Sequence, residues 1–542
     1  MSKRSPQKTR PPASAGQPSR TQVGTRAFNR RAQSAAERAK RLHTTRKRPG
    51  RTRGSSLLLR AREMLRHIPR AAWLCAIVAC INAVCWSILT PPFQVTDEPS
   101  HFAYTQQLAE NVRLPDTSGV GLSPEEEIVL KDLDQYKVRE SPETRTISTA
   151  GQQQHLQEDL NRHLSRHGSG GVGGAHSDPP LFYLLETVPY GLASGGTLLD
   201  QLEAMRLFSA LMAGLTALFV FLFVRETLPG VRWAWTVGGL SVALAPLLGF
   251  ISGGVNPDSM LIAVSATSFY CLARAFRRDL TRKLALAIGT IVAVGFLTKL
   301  NFMGLVPGIV LGMIVLTVRA SRTQGRAAYG SLGLALAIAC TPVLLYILAN
   351  LLSGHAVLGI VSTTLKLKGA HGSIFSKISY VWQLYLPRLP GMTNYFPGLS
   401  TTRDLWFNRG VGFYGWLDTT FPTWVENLAI VPAGILAVLC VRSLALGRVA
   451  LRERGAEIMV YGAMGLGLLT LIGLSSYIDS SEGLFADPRY LLPLLPLLGV
   501  GLALAARGAG RRWGPAMGAL IVVLFLAHDI FSQLLVAGRY YI

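Results

Sequence analysis

The chain has 542 residues, a formal net charge of +23 and 49% hydrophobic residues. Its long apolar segments exclude a soluble globular protein and predict a polytopic membrane protein, because many of them approach the roughly 20 residues that cross a bilayer. All six cysteines lie inside these apolar segments, where they behave as small hydrophobic residues, so the sequence does not predict a disulfide framework.

The apolar segments predict an all-α integral membrane protein with about 11 transmembrane helices. In chain order they cover residues 71–90, 207–224, 234–251, 260–272, 284–297, 302–318, 329–352, 428–441, 458–474, 490–506 and 515–536. Residues 71–542 therefore form the predicted transmembrane domain, with large loops at residues 91–206 and 353–427.

Charge is distributed unevenly around the first apolar segment. Residues 1–70 contain 20 Lys and Arg against two acids, whereas residues 91–180 contain 14 acids against seven bases. The positive-inside rule then predicts a cytoplasmic N-terminus and an external loop 91–206. The tail 1–70 has few aromatic residues and no folded motif, so we expect a disordered segment that contacts anionic lipids rather than nucleic acid.

Segment 179–192 determines the predicted topology. It is short, contains Pro179, Pro180 and Pro189, and carries Glu186. If it does not span, seventeen basic residues fall in cytoplasmic loops, and the short external loops contain only Lys299 and Arg489. We therefore expect an external interfacial or re-entrant helix here and an external loop 353–427.

The first loop opens on an acidic sequence that can perform acid–base chemistry. Thr96 can cap a helix beginning at Asp97, and Asp97 and His101 are four residues apart on one helix face. Together with Glu98 they could move protons at a membrane surface. The alternative is an acidic first turn that only caps the helix.

Two cations are predicted at external helix ends. They are Lys299 and Arg489. Lys299 could snorkel to the interface, and Arg489 could belong to a local ion-pair cluster with its acidic neighbours in the sequence, Asp479, Glu482 and Asp487. Asn256 and Asp258 are expected to cap the helix that follows them.

The remaining candidates lie in the loops. Loop 353–427 is rich in aromatic residues, most of which we expect in an interfacial belt, and its segment GFYGWLDTTFPTW contains Trp416 and Asp418. Besides His101, the first loop contains four histidines, at 155, 163, 167 and 176, whose spacing fits no tight metal site. We therefore predict no metal ligand, although the sequence leaves a divalent cation open as a cofactor.

Five motifs follow one another within residues 72–506, namely PPFQVTDEPSHF, DPPLFYLLETVPYGL, AMRLFSALMAGL, GFLTKLNFMGLVPG and DPRYLLPLLPLL. In this order they resemble the GT-C class of membrane glycosyltransferases. The chain is most similar to a bacterial family of predicted membrane proteins of unknown function within that clan. The acidic segment 125–143 has no counterpart in the clan.

The resemblance implies a GT-C-like glycosyltransferase that uses a polyprenyl-phosphate-linked sugar and an envelope glycan acceptor at the external face of the plasma membrane. It implies Asp97 as the base, with Glu98 and His101 in catalytic positions. The implied substrate-binding residues are Lys299, Arg489, Tyr490, Asp418, Trp416 and Tyr183, with Lys299 and Arg489 binding the lipid phosphate. The alternatives are a lipid or polysaccharide transporter or flippase, and a non-catalytic protein of envelope assembly.

Overall fold

The computed structural model describes residues 68–115, 121–168, 171–352, 373–396, 398–479 and 487–542. The basic tail predicted at residues 1–70 lies outside the described residues except for its last three positions. Part of the predicted loop 353–427 also lies outside them. Residues Pro69–Ile542 form one compact unit.

Helices make up almost all of the regular structure in this part of the chain. They are α1 (Arg70–Leu89), α2 (Glu98–Asn111), α3 (Pro124–Asp132), α4 (Gln135–Glu140), α5 (Ala150–Leu160), α6 (Leu181–Leu192), α7 (Leu198–Thr227), α8 (Arg232–Ala243), α9 (Pro246–Ser252), α10 (Pro257–Arg278), α11 (Arg282–Thr298), α12 (Val306–Gln324), α13 (Arg326–Leu352), α14 (Ile374–Tyr385), α15 (Leu399–Thr402), α16 (Arg409–Val411), α17 (Thr423–Leu446), α18 (Arg448–Glu453), α19 (Gly455–Asp479), α20 (Leu495–Gly508) and α21 (Gly510–Tyr541). Short 3₁₀ or π turns cover Gly173–Ser177, Leu300–Gly304, Arg403–Asn408 and Pro488–Leu494.

Nine helices of the described chain are long and apolar enough to cross a membrane, or ten if the bent pair α8 and α9 forms one span. This confirms the prediction of an all-α polytopic membrane protein. Each of the eleven predicted segments does contain a helix, but α11 has only 17 residues and is not among the nine. The predicted count of eleven is therefore not confirmed.

Close helix contacts form the core of the membrane domain. Helices α10, α11, α12 and α19 share one cluster of buried apolar side chains. Gly308 shows how tightly they pack, because a Cβ atom added there would come within 2.3 Å of the backbone nitrogen of Met464. Small residues allow such approaches in membrane proteins, where van der Waals packing holds helices together.

The loop between α1 and α7 is a folded layer with its own apolar core. Phe102 of α2, Leu130 of α3, Leu160 of α5 and Tyr183 of α6 are all buried in this core. The glycine-rich segment 168–176 of this loop enters the 3₁₀ turn Gly173–Ser177 within its described part. Because the layer packs on the ends of α7 and α10, it can hold polar side chains in fixed positions.

Helix α6 corresponds to the segment that determined the predicted topology. Its 12 residues would extend only about 18 Å, which is shorter than the bilayer core of about 30 Å. One face buries Tyr183 and Glu186, and the other exposes Leu184, Val188 and Leu192. This two-faced pattern suits a helix at the membrane interface better than one that crosses it.

The second large loop contributes a small hairpin. Strands β1 (Phe413–Tyr414) and β2 (Thr419–Thr420) pair antiparallel, with Phe413 opposite Thr420. The hairpin reaches the first loop, since the Thr96 hydroxyl donates to the Gly415 carbonyl at 2.7 Å. It therefore packs directly beside the start of α2.

Candidate functional site

Charged side chains from four separate parts of the chain meet where α2, α10, α11 and the Pro488–Leu494 turn begin or end. Nη2 of Arg489 donates to Oδ2 of Asp97 at 3.0 Å, and Nζ of Lys299 lies 2.8 Å from Oδ1 of Asp258. Lys299 also acts electrostatically on Asp97, which places the two pairs in one cluster. The structure thus brings together the predicted site residues Asp97, Lys299 and Arg489, and it adds Asp258.

Asp97 holds a strained backbone position at the centre of this cluster. Helix α2 begins at Glu98, so Asp97 is the preceding residue, with a left-handed φ of +65°. Its side chain caps nothing, and the Thr96 hydroxyl bonds to the hairpin, so the predicted Thr96 cap is wrong. Backbone strain of this kind is concentrated at functional sites.

The Asp97 carboxylate is ionised and partly open to solvent. Burial alone would raise its pKa, but the charge of Arg489, together with His101, the hydrogen bond from Arg489 and the charge of Lys299, lowers the pKa below its usual value. The side chain remains 47% exposed, whereas that of Arg489 is only 6% exposed. Asp97 is therefore a carboxylate that an incoming substrate can reach.

Arg489 is a buried cation, and not all of its N–H groups have a hydrogen-bond partner within the described residues. Its Nη2 donates to Asp97 and to the Tyr490 hydroxyl, and its Nε lies 3.2 Å from Oδ2 of Asp487. Its Nη1 is buried and has no hydrogen-bond partner in the described part of the chain. Of the acidic neighbours in the sequence, Asp487 does pair locally, while Glu482 and the side chain of Asp479 lie outside what the structure describes.

Lys299 and Asp258 form the second pair. Lys299 follows α11 directly and is 14% exposed, so it is held by Asp258 rather than extended to the interface. Asn256 caps α10 through its side chain, as expected, but Asp258 does not. The expectation of a capping Asp258 is corrected because its carboxylate faces Lys299 instead.

His101 lies in a buried chain of polar groups beside the cluster. Its Nδ1 is 2.8 Å from the Tyr183 hydroxyl, which donates to Oδ2 of Asp178 at 2.9 Å. Burial lowers the pKa of His101 to about 3, so the imidazole is neutral near pH 7. Burial also raises the pKa of Asp178.

The contacts of Glu98 do not fit the catalytic role that was predicted for it. Its carboxylate accepts from Nε and Nη2 of Arg206 at 2.8 and 2.6 Å, and from the backbone nitrogen of Val255 at 2.9 Å. Glu98 is fully buried, and Arg206 also donates to three backbone carbonyls of residues 87–91. Because no oxygen of Glu98 faces an open space, we assign it to the scaffold of the site rather than to catalysis.

The contacts of Trp416 and Asp418 also do not fit the substrate-binding role that was predicted for them. Asp418 accepts from Arg539 at 2.9 Å, and the Trp416 indole donates to the Phe93 carbonyl at 3.2 Å. Arg139 lies 4.1 Å above the Trp416 ring. Both side chains therefore hold the hairpin against the first loop and the last helix, and we correct their assignment to a structural one.

One group of three potential metal ligands occurs in the described chain, away from this cluster. It contains Asp132, His155 and Asp159. The Asp159 carboxylate already lies 2.6 Å from Arg162 and 3.2 Å from His155. We assign no metal to it because an arginine occupies one of its two carboxylates.

A family model described as "Predicted membrane protein (DUF2142)" matches residues 80–498. The chain belongs to this family. The match agrees with the resemblance to a family of predicted membrane proteins that the sequence motifs indicated. No curated protein matches the sequence significantly.

Solved structures of two proteins are similar to this chain at low identity. ArnT from Cupriavidus metallidurans bound to undecaprenyl phosphate has 13% identity and a TM-score of 0.42, with 85% of this chain and 75% of that chain covered. ArnT in the apo state has 14% identity and a TM-score of 0.42, with 79% of this chain and 59% of that chain covered. The archaeal oligosaccharyltransferase AglB from Archaeoglobus fulgidus, in complex with an inhibitory peptide and a dolichol-phosphate, has 11% identity and a TM-score of 0.41. The match covers 86% of this chain and 56% of that chain. This chain thus spans less than two thirds of the length of apo ArnT and of AglB, and we draw no activity from these similarities.

Three functional groups of the site were missed by the sequence reasoning. Asp178 immediately precedes the Pro-Pro of a motif that was recognised, so its position was the available signal. Asp487 was weighed only as a local partner of Arg489. Arg206 lies in the motif AMRLFSALMAGL, but nothing local connects it to Glu98, which lies 108 residues earlier.

Proposed function

We propose that this membrane protein is a GT-C-like glycosyltransferase that transfers a sugar from a polyprenyl-phosphate donor to an envelope acceptor. The observation that carries the proposal is the cluster in which an accessible carboxylate, Asp97, pairs with the buried cation Arg489, while the second cation, Lys299, pairs with Asp258 beside them. A base and two cations are the groups that this reaction requires, because a hydroxyl must lose a proton while a phosphate leaves.

Each residue has a defined role in the proposed reaction. The acceptor hydroxyl donates to Asp97, and its oxygen forms a bond to the anomeric carbon as the bond from that carbon to the phosphate oxygen breaks. The hydroxyl proton goes to Asp97, and the electron pair leaves with the polyprenyl phosphate. Arg489 offers Nη1 to that phosphate, and Lys299 adds a second positive charge close by.

The buried polar residues of the last helix do not favour the transporter alternative. Asp529 of α21 accepts from Asn82, Trp86 and Gln533 at 3.0–3.3 Å, which closes a small network between α1 and α21. A network whose carboxylate oxygens are all bonded to protein donors resembles a structural contact more than an ion pathway. The non-catalytic alternative makes a different prediction, namely that Asp97 is dispensable.

The proposal can be tested by deleting the gene and analysing lipids and envelope glycans. We expect a polyprenyl-phosphate-linked sugar to accumulate and one envelope glycan to lose that sugar. Complementation with the wild-type gene should reverse both changes. An unchanged lipid and glycan profile in the deletion strain would reject the glycosyltransferase and favour the assembly or transport alternatives.

We further propose that the site faces the exterior while the basic loops face the cytoplasm. In a protein without its six native cysteines, Glu143→Cys should react with a membrane-impermeant thiol reagent added to intact cells. Arg278→Cys, at the other end of α10 from Asp258, should react only after the cells are opened. Both positions are exposed, so a difference in labelling between them would not be caused by burial of one side chain. External labelling of Arg278→Cys would invert the topology.

Substitution of Arg489 by Lys should weaken binding of a polyprenyl phosphate by about 10- to 100-fold. The substitution keeps the charge but loses the planar fork that lets arginine hold Asp97 and a phosphate at once. The measurement is a titration of purified protein with undecaprenyl phosphate in detergent. Arg277→Lys is the matched control, since Arg277 also pairs with a carboxylate, Glu226, but at the opposite end of α10. Equal affinities of the two variants would assign Arg489 to a local ion pair.

A further inference from the structure

We propose that five arginines at one end of α8, α17, α20 and α21 form a binding site for the headgroup of an anionic phospholipid. They are Arg232, Arg442, Arg507, Arg511 and Arg512. The inference does not depend on the proposed sugar transfer, because these arginines lie at the opposite end of α20 from the Pro488–Leu494 turn that carries Arg489.

One small apolar core joins these four helices. Val237 of α8, Leu502 and Ala506 of α20 and Ile521 of α21 are buried in it, and Leu439 of α17 packs against it. Because the helices share this core close to their ends, the residues that follow it outward come from all four helices and lie on one surface.

Glycines bring the backbones together directly beside the arginines. A Cβ atom added at Gly508 would collide with the Leu439 carbonyl, and one added at Gly514 would come within 3.0 Å of the Trp233 ring. Each of the five arginines is at most three positions along the chain from one of these four contact residues. Three residues are less than one helical turn, or about 5 Å along the axis, so the five side chains start from one small area.

This area has no acidic counter-charge of its own. The sequence contains no Asp or Glu in residues 228–245, 428–452 or 500–528. All five arginines are exposed, and none of them forms an ion pair within the described residues. By contrast, Arg277, Arg319 and Arg454, on the same predicted cytoplasmic side, each pair with an acid at 2.8–3.2 Å.

The chemistry of the arginines selects a phosphate as the missing partner. Positive side chains that start from one small area repel each other, so an anion beside them lowers their free energy. Guanidinium groups bind phosphate oxygens through parallel N–H bonds, and several of them can surround one phosphate. The tail 1–70 is not a matching anion, because it contains 20 Lys and Arg against two acids.

The position of the arginines selects a phosphate that belongs to a lipid. Helices α17, α20 and α21 are long and apolar enough to cross a membrane, and the arginines lie at their ends, where headgroups are found. Val441 of α17 and Leu520 and Val523 of α21 are exposed apolar side chains that acyl chains can cover. A phospholipid therefore matches both the charged end and the apolar side of this surface.

Trp513 marks the site and provides a spectroscopic probe for it. Its side chain is 64% exposed, and the Arg512 guanidinium lies 5.7 Å from the centre of its ring. Tryptophan is enriched at the level of the headgroups, where its ring contacts both acyl chains and polar groups. A lipid bound by the arginines would therefore have its acyl chains beside this ring.

The experiment measures which lipid lies next to Trp513. Purified protein is reconstituted into vesicles of equal amounts of phosphatidylglycerol and phosphatidylcholine, and one of the two lipids carries brominated acyl chains that quench tryptophan fluorescence. The signal that Trp513→Phe removes belongs to Trp513. We expect phosphatidylglycerol to be preferred there by about 10-fold, because each arginine near the surface attracts an anionic lipid. Equal quenching by the two lipids would overturn the site.

Two triple variants separate this site from the overall positive charge. Arg232→Gln with Arg442→Gln and Arg511→Gln should abolish the preference at Trp513. The matched control is Arg282→Gln with Arg322→Gln and Arg326→Gln, which removes the same charge from exposed residues at the ends of α11, α12 and α13. The control should keep the preference. An equal loss in both triple variants would overturn the site.

Two salts test the same site in the wild-type protein, without any variant. About 1 M sodium chloride should remove most of the preference, because exposed charges are screened at this ionic strength. Sodium phosphate at the same ionic strength should reduce the preference no further. A preference that survives sodium chloride would overturn the electrostatic site, and a larger loss in sodium phosphate would assign the arginines to a soluble phosphate compound instead of a lipid.

Discussion

Replacing Asp97 by Asn should lower sugar transfer by about 10²- to 10⁴-fold, which is the range that general-base catalysis contributes. Asparagine has nearly the same shape as aspartate but cannot accept the proton of an acceptor hydroxyl. The measurement is glycan transfer in membranes that contain equal amounts of variant and wild-type protein. Full transfer by Asp97→Asn would remove the carboxylate from the mechanism and favour a non-catalytic role.

The fold should survive this substitution for two reasons. Asparagine tolerates the left-handed backbone at position 97 better than most residues do. When Asp97 loses its charge, the buried Arg489 still has a second carboxylate partner in Asp487, so the substitution does not leave an unpaired buried cation. Asp134→Asn is the matched control, since Asp134 also precedes a helix in the left-handed region without capping it.

Replacing Glu98 by Gln should destabilise the protein by about 3–5 kcal/mol, the cost of leaving one partner of a buried ion pair unpaired. The side chains of Glu98 and Arg206 are 0% and 3% exposed, so water cannot compensate the arginine. We expect a large loss of folded protein after detergent extraction, followed by size-exclusion chromatography and thermal melting. This effect should exceed that of Asp97→Asn on stability although the two acids are adjacent.

Two further variants separate the buried pair from a general effect of removing charge. Asp279→Asn breaks an exposed pair with Arg319 at 3.2 Å and should leave the melting temperature almost unchanged. The double variant Glu98→Gln with Arg206→Met removes both charges and should recover part of the lost stability. Wild-type melting of Glu98→Gln alone would show that the buried pair does not hold the first loop.

Helix positions followed from the sequence because they depend on local properties. A run of apolar residues long enough to cross a bilayer must satisfy its backbone hydrogen bonds internally, and a helix does this within one segment. The same reasoning identified α6 as too short to span, and it identified Asn256 as a cap. It also placed Lys299 and Arg489 at helix ends, where the structure has them.

Tertiary structure alone decided which charges pair and which remain available. Asp97 meets Arg489 across 392 residues, while Glu98, its immediate neighbour, meets Arg206 across 108. In the sequence the two acids look equivalent, and only packing turns one carboxylate into the scaffold and leaves the other accessible. The same holds for His101, because its contact with Tyr183 and its lowered pKa depend on burial and on partners that folding brings from distant segments.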